Sequence, residues 1–528
     1  MVNILISGYY GFDNIGDESI LRTLVSSLRE HIPDCSLTVL SHNPASTREK
    51  YGVEAVDRMS PMAILRAVKK CDMLISGGGS LLQDVTSSKS LHYYLSIIRC
   101  AEFFHKKVFI YSQGIGPIDR PGNRRAAAAA LKRADGIVVR DERSAALLEE
   151  IGIARDKVVI TADPVIRMKK PDGDVGAEIL RKAGVSLDGR LTVGWAIRER
   201  DTDSRFVKEL LRSIQMMKDK YNAQSVLIPF HYEEDGEVCR HIAAQLPDDT
   251  AVCLNEKYLS EDMLSIIGNM DLLVGVRLHS LIYAAIMGVP LIGISYDPKC
   301  TAFLNSVGLD KLSTKENFTA ELFMPEAERV LETGKEQVQC VEAHMAKLSR
   351  KLDTNEKMIC AIMEKSRKHT MQDPQNNTEK KDKSGVRTAG AISFVFLLTL
   401  FAKLLGVVRE MMQANIFGTG IDADLYTASY NSTLYLFTTM CYALCIAAVP
   451  ILTKEFAADR KRGEKAANNL LTITLLGSLA AVVLWQIFAS TPLVGTIWDL
   501  DAAELPRLAS YIRIMACALP VVAAAYLN

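Results

Sequence analysis

Much of what this 528-residue chain does can first be narrowed by what it lacks. It has no charge imbalance: 62 Lys and Arg face 62 Asp and Glu, which argues against a general nucleic-acid binder. Its eleven cysteines are scattered, with no Cys-x-x-Cys pair and no Cys/His cluster. No metal centre is therefore expected, and the soluble part reads as reduced and cytosolic. Cys441 and Cys445 lie one helical turn apart in an apolar run and read as helix packing. No signal peptide is expected, because Met1 runs straight into NILISG, which reads as a strand with no basic n-region. Nor is there a GxGxxG turn with an acidic residue at the next strand end, so a nicotinamide site is not expected.

What is present changes character along the chain. From Met1 to about Lys365, continuous apolar strands alternate with glycine-bearing turns and amphipathic helices, the signature of parallel sheets covered on both faces. One such series fills residues 1–170, and a second begins near Leu191. The expected fold is α/β: a GT-B-like pair of Rossmann-like domains with parallel sheets, 1–170 and 171–365, the second closed by helices from about Ala320 that pack back across both. Residues 366–387 (SRKHTMQDPQNNTEKKDKSGVR) form a polar, basic linker. From 388 to 528 the chain turns apolar, with segments at Ala389–Val408, Leu434–Thr453, Leu470–Ala489 and Leu508–Leu527. Each is near the ~20 residues that span a bilayer, so an all-α transmembrane part of about four helices is expected. Basic residues in the linker and in KEFAADRKRGEKAANN place both, and the C-terminus, on the cytoplasmic side together with the front domains. The run ending at Asn528 reads as part of a larger membrane domain, the alternative being a short anchor bundle.

The chemistry-bearing residues gather at strand ends. In GYYGFDNIGDESI, Gly8, Gly11 and Gly16 permit tight turns and close backbone approach. Asp17 either caps a helix or serves in the cleft as a base or sugar-hydroxyl acceptor. In SGGGS, the backbone of Gly77, Gly78 and Gly79 either holds a phosphate or sugar oxygen or makes an ordinary turn. Gln113 and Arg140 end strands too. Arg140 reads as an anion ligand, although Asp141, Glu142 and Arg143 beside it would also suit a surface charge cluster. His231 in IPFHYEED reads as a solvated loop histidine or a contact to the acceptor. DLLVGVRLH is the most informative stretch. Arg277 and His279 sit two apart and would share one side of a strand. The arginine can clamp a carboxylate or phosphate, and the histidine titrates near neutrality. The competing reading is a structural arginine paired with a carboxylate and a capping histidine. The next apolar strand ends beside Lys299. Cations at the carboxyl edge of a parallel sheet suit a small, highly charged anion.

GYYGFDNIGDESI, ISGGGSLLQD, YSQGIGP, VVRDERS and RLHSLIYAAIMGVPLIGISYDPK, in this order, resemble the polysaccharide pyruvyl transferase family, specifically its CsaB type. The resemblance implies transfer of a pyruvyl group from phosphoenolpyruvate to a sugar, giving a 4,6-ketal. The implied acceptor is an N-acetylmannosamine unit of a lipid-linked cell-wall polymer precursor. The implied donor ligands are Arg140, His279 and Lys299, with Arg277 beside them. His279 would protonate the methylene carbon and Asp17 would assist the attacking hydroxyl. Phosphoenolpyruvate is a co-substrate, and no separate cofactor is implied. The tail KLLGVVREMMQANIFGTGIDADLYTAS resembles the start of the MurJ/MviN lipid II flippases, with Lys403, Arg409 and Asp424 on family polar positions. The expected location is therefore the cell membrane, multi-pass, with the enzyme on the cytoplasmic side. Two other functions fit a GT-B-like frame: a nucleotide-sugar glycosyltransferase, or a flippase of lipid-linked precursors with a regulatory soluble part.

Overall fold

The computed structural model describes residues 2–85, 87–371, 421–491, 494 and 504–527. Contacts divide the chain into two compact units, Met1–Gln375 and Asn376–Asn528.

The front unit holds two parallel sheets. The first contains β1 (Val2–Tyr10), β2 (Cys35–Ser41), β3 (Glu54–Asp57), β4 (Met73–Ser76), β5 (Lys107–Gln113), β6 (Gly136–Val139) and β7 (Val158–Ile160), in the spatial order β3-β2-β1-β4-β5-β6-β7. The second contains β8 (Thr192–Ala196), β9 (Gln224–Leu227), β10 (Ala251–Cys253), β11 (Leu272–Gly275), β12 (Leu291–Ser295) and β13 (Ser313–Thr314), ordered β10-β9-β8-β11-β12-β13. The central strands are apolar along their length, and β4, β8 and β11 are buried at every residue. Helices on both faces of a parallel sheet produce that pattern. In each sheet the order reverses once, between β1 and β4 and between β8 and β11, and ligands bind at the carboxyl edge of such a reversal. These are the two Rossmann-like lobes of a GT-B-like fold.

The lobes meet along the first helix, Ile15–His31, whose start is capped by Asn14 accepting from the Gly16 N–H at 3.1 Å. Ile15 and Ile20 on this helix belong to the core of the second lobe. The Ile15 N–H donates to the Phe230 carbonyl at 3.3 Å, and the Ser19 and Tyr283 hydroxyls bond to each other. A 52-residue helix, Ala320–Met371, bends at Thr333 and returns to the first lobe. There the fully buried Glu356 accepts from Ser27 at 2.6 Å and Tyr111 at 2.7 Å, and Asn355 donates to Ser112 at 2.8 Å. This helix continues past Ser366, where the linker was expected to begin. Residues 372–387 lie outside the described residues.

In the rear unit the described residues are helical: Ile421–Tyr430, Leu436–Ala458, Arg460–Phe488, Leu505–Ala516 and Leu519–Leu527. Among the described residues two helices are long and apolar enough to cross a membrane, Arg462–Phe488 and Leu505–Ala523. The expected count was about four. Leu436–Ala458 covers the second expected segment and carries Pro450 in its interior. The first expected segment, with Lys403 and Arg409, lies outside the described residues. Asp424, expected in a connection, is an exposed residue of the helix Ile421–Tyr430. Many large apolar side chains of this unit face outward, among them Ile473, Leu476, Leu484 and Ile487.

Candidate active site

The carboxyl edges of the two sheets enclose one cleft of about 670 Å³. Asp17, Gly79, Arg140, Arg277, His279 and Lys299 all line it, delivered by strand ends and by the first turns of the helices that follow them. Arg277 and His279 do not share a strand as expected, because the strand ends at Gly275, Arg277 caps the helix Leu278–Met287 and His279 lies in its first turn. Tyr9, Tyr94, Arg198 and Tyr296 line it as well and were not singled out from the sequence. Arg198 follows β8 as Arg277 follows β11, and the strand-end rule that selects Arg277 selects Arg198 equally.

The positions of Gly8 and Gly16 are set by close approach rather than by turn geometry. A Cβ on Gly8 would overlap the Tyr10 ring, and one on Gly16 would overlap the His279 imidazole. Gly11, at φ +79°, takes left-handed backbone, which glycine adopts without strain, and Asp13 follows at φ +54°. Other predicted residues stand behind the cleft wall. A Cβ on Gly77 would meet Tyr10 and one on Gly78 would meet Ile20. Gln113 is fully buried, its amide donating to the Gly77 carbonyl at 3.3 Å. His231 is a helix cap: its Nδ1 accepts from the Glu234 N–H at 3.2 Å at the start of Tyr232–Ala244. Of these four, none lines the cleft.

Partners decide what each cation can do. Arg140, 9% exposed, donates to Asp163 at 2.8 Å and to Ser80 at 2.9 Å, with Asp141 at 3.6 Å. Despite burial, which acts the other way, Asp163 and Asp141 hold its pKa above the usual guanidinium value. Arg277 is equally buried and donates to Asp235, itself 1% exposed, with Glu234 at 3.9 Å. The structural pairing that competed with the ligand reading of Arg277 is therefore present, although the side chain still borders the cleft. Lys299 lies 3.4 Å from Asp297. Arg198 donates to the Tyr296 hydroxyl, and its guanidinium carbon lies 4.7 Å from the centroid of that ring.

The two titratable groups are pushed in unexpected directions. His279 is lowered to about 4, first by burial and then by Arg140, Lys299 and Arg277, against the pull of Asp163 at 3.8 Å. Its Nε2 is buried without a hydrogen-bond partner among the described residues. Asp17 is raised to about 7, first by burial and then by Glu18 and Asp163, against Lys299 and Arg140. Near neutral pH the proton thus resides on Asp17 as readily as off it, and the imidazole is neutral. This reverses the expected polarity, in which the histidine carried the proton. Three surrounding cations disfavour a charged imidazole, and enclosure disfavours a charged carboxylate.

The cleft between the paired lobes thus brings cations, a carboxyl group and an imidazole to one place. The polysaccharide pyruvyl transferase pattern matches residues 14–298, more than half of the chain, and the chain belongs to that family. It is similar to the amylovoran biosynthesis protein AmsJ of Erwinia amylovora, at 21% identity over 370 residues, covering 59% of this chain and 88% of AmsJ. Among solved structures it is similar to Anabaena Alr3699/HepE in complex with UDP-glucose, at a TM-score of 0.50 and 11% identity, covering 69% of this chain and all of the other. At that identity the likeness concerns the fold alone.

Proposed function

We propose that the front unit transfers the pyruvyl group of phosphoenolpyruvate to two hydroxyls of one sugar in a lipid-linked polymer precursor, giving a 4,6-ketal. N-acetylmannosamine is the acceptor implied by the sequence resemblance. The observation that carries this reading is the convergence of Arg140, Arg198, Arg277, Lys299 and His279 on one cleft. Phosphoenolpyruvate carries a carboxylate and a phosphate, and cations in an enclosed site offset that charge.

The pKa directions support one placement of the protons. Asp17, protonated near neutrality, gives its proton to the methylene carbon, and carbon 2 becomes electrophilic. A sugar hydroxyl oxygen bonds to carbon 2 and its proton passes to the neutral His279. The second hydroxyl oxygen then bonds to the same carbon, the carbon–oxygen bond to phosphate breaks, and phosphate leaves with the second hydroxyl proton. His279 returns its proton to Asp17 to complete the cycle. The imidazolium formed in the first step is stabilised by the donor's negative charge, which offsets the cations that depress it in the free cleft.

The rear unit, with two helices suited to a bilayer, would hold the enzyme at the membrane face where a lipid-linked acceptor lies. Tethering raises the effective concentration of such a substrate. The test is phosphate release by the full chain in detergent, given phosphoenolpyruvate and a lipid-linked disaccharide. Release that needs both substrates supports the reading. Sugar transfer from a UDP-sugar, with no phosphate released from phosphoenolpyruvate, would replace it with a glycosyltransferase.

A further inference from the structure

We propose that Arg198 and Tyr296, with Lys299, form the corner of the cleft that seats the phosphoryl group of the donor. The inference rests on the phosphoenolpyruvate reading for the identity of the donor, but its geometry stands apart from that reading. Arg198 lies two residues beyond β8, and Tyr296 directly follows β12. Both border the cleft. The Arg198 guanidinium carbon is 4.7 Å and the Lys299 Nζ 5.8 Å from the Tyr296 ring centroid, so one ring carries two cations.

The case is one of charge compensation. Of the two guanidinium groups on the second-lobe wall, Arg277 is already bound to the buried Asp235. Arg198 forms no ion pair with a carboxylate among the described residues, and the partner it does have is a neutral phenol. Glu234 and Asp235 act on this half-buried guanidinium only from beyond ion-pair distance, so its hydrogen-bonding edge stays available for an incoming anion. Lys299, shared with the partly exposed Asp297 at 3.4 Å, adds a second cation to the same corner for a phosphoryl dianion. The hydrogen bond also fixes direction. Arg198 donates to the Tyr296 oxygen, so the phenolic hydrogen is free to be given to a phosphoryl oxygen. Tyr296 therefore holds Arg198 in place and adds a third donor to the same anion.

Inorganic phosphate, the probe, is titrated by calorimetry into the full chain in detergent, alongside phosphate-release kinetics. The wild type is expected to bind phosphate, and phosphate to compete with phosphoenolpyruvate. Arg198→Met should weaken phosphate binding and raise the KM for phosphoenolpyruvate by about 10- to 100-fold, the range for hydrogen bonds to charged groups. Arg198→Lys should recover part of the loss. Tyr296→Phe should cost about 3- to 10-fold. The acceptor KM should stay constant in all three, which a general loss of structure would not allow. Unchanged phosphate affinity in Arg198→Met would overturn the proposal, and so would a wild type that binds no phosphate. A wild type that binds phosphate through Arg198 yet releases none from phosphoenolpyruvate would leave this corner standing and remove the donor assignment.

Discussion

The two lobes follow one plan and present different chemistry. In both, the strand order reverses at the centre of the sheet, and both carboxyl edges open on the same cleft. The first-lobe wall offers Asp17, two tyrosines (Tyr9 and Tyr94) and an arginine neutralised by Asp163. The second-lobe wall offers His279, a Lys299 beside Asp297, and an Arg198 that among the described residues bonds to a phenol and to no carboxylate. The fold thus fixes where groups meet, and the partner behind each group fixes what it can do. Arg140 and Arg277 occupy strand ends that look ideal for an anion, yet each already holds a buried carboxylate.

The comparison predicts that both walls share in proton transfer. His279→Ala and Asp17→Asn should each lower the phosphate-release rate by about 10²- to 10⁴-fold, while circular dichroism stays unchanged. A near-native rate in either variant would break the division of labour between the lobes. The next largest effect is on stability. Arg277→Met leaves the buried Asp235 without its cationic partner, keeping the His231 N–H bond at 2.9 Å, which should cost about 3–5 kcal/mol. Arg198→Met strands no carboxylate and should melt close to wild type. Equal melting temperatures for the two variants would erase the distinction between paired and unpaired arginines.

The pH profile gives a further test. Activity is assigned to the form with Asp17 protonated and His279 neutral. Asp17 lies at about 7 and His279 at about 4 in the free protein. Accordingly kcat/KM, which reports free-enzyme ionisations, should fall as pH rises through about 7 and again as pH drops through about 4. A profile that instead rises through 7 would restore Asp17 as the base. The smallest effect concerns His231, which lies outside the cleft. His231→Ala removes a helix cap, should cost about 1 kcal/mol of stability, and should leave both substrate KM values unchanged.

Much of this site is legible in the sequence because strand ends are local features. An apolar run that stops on Arg140, on Arg277 and His279, or beside Lys299 can be seen in ten residues, and parallel α/β topology sends such ends to one edge. The partners are not local. Asp235 meets Arg277 from 42 residues away, and Asp163 bridges Arg140 in its own lobe and His279 in the other. No spacing rule announces those meetings, so neither the pairing of Arg277 nor the depressed histidine could be read beforehand. Arg198 was within reach of the strand-end rule, but it sits in a charged run, GWAIRER, that reads equally well as a surface turn. Gly77, Gly78 and Gln113 show the opposite error: the turn is real, but its face points into packing around Tyr10 and Ile20 rather than into the cleft.

Gly16 lets an imidazole from one lobe rest against the backbone of the other. Because a β-carbon there would collide with that ring, the closeness of the two jaws depends on a missing atom. Substitution by even the smallest chiral residue would push the imidazole off that backbone, shifting His279 relative to Asp17 without changing either group.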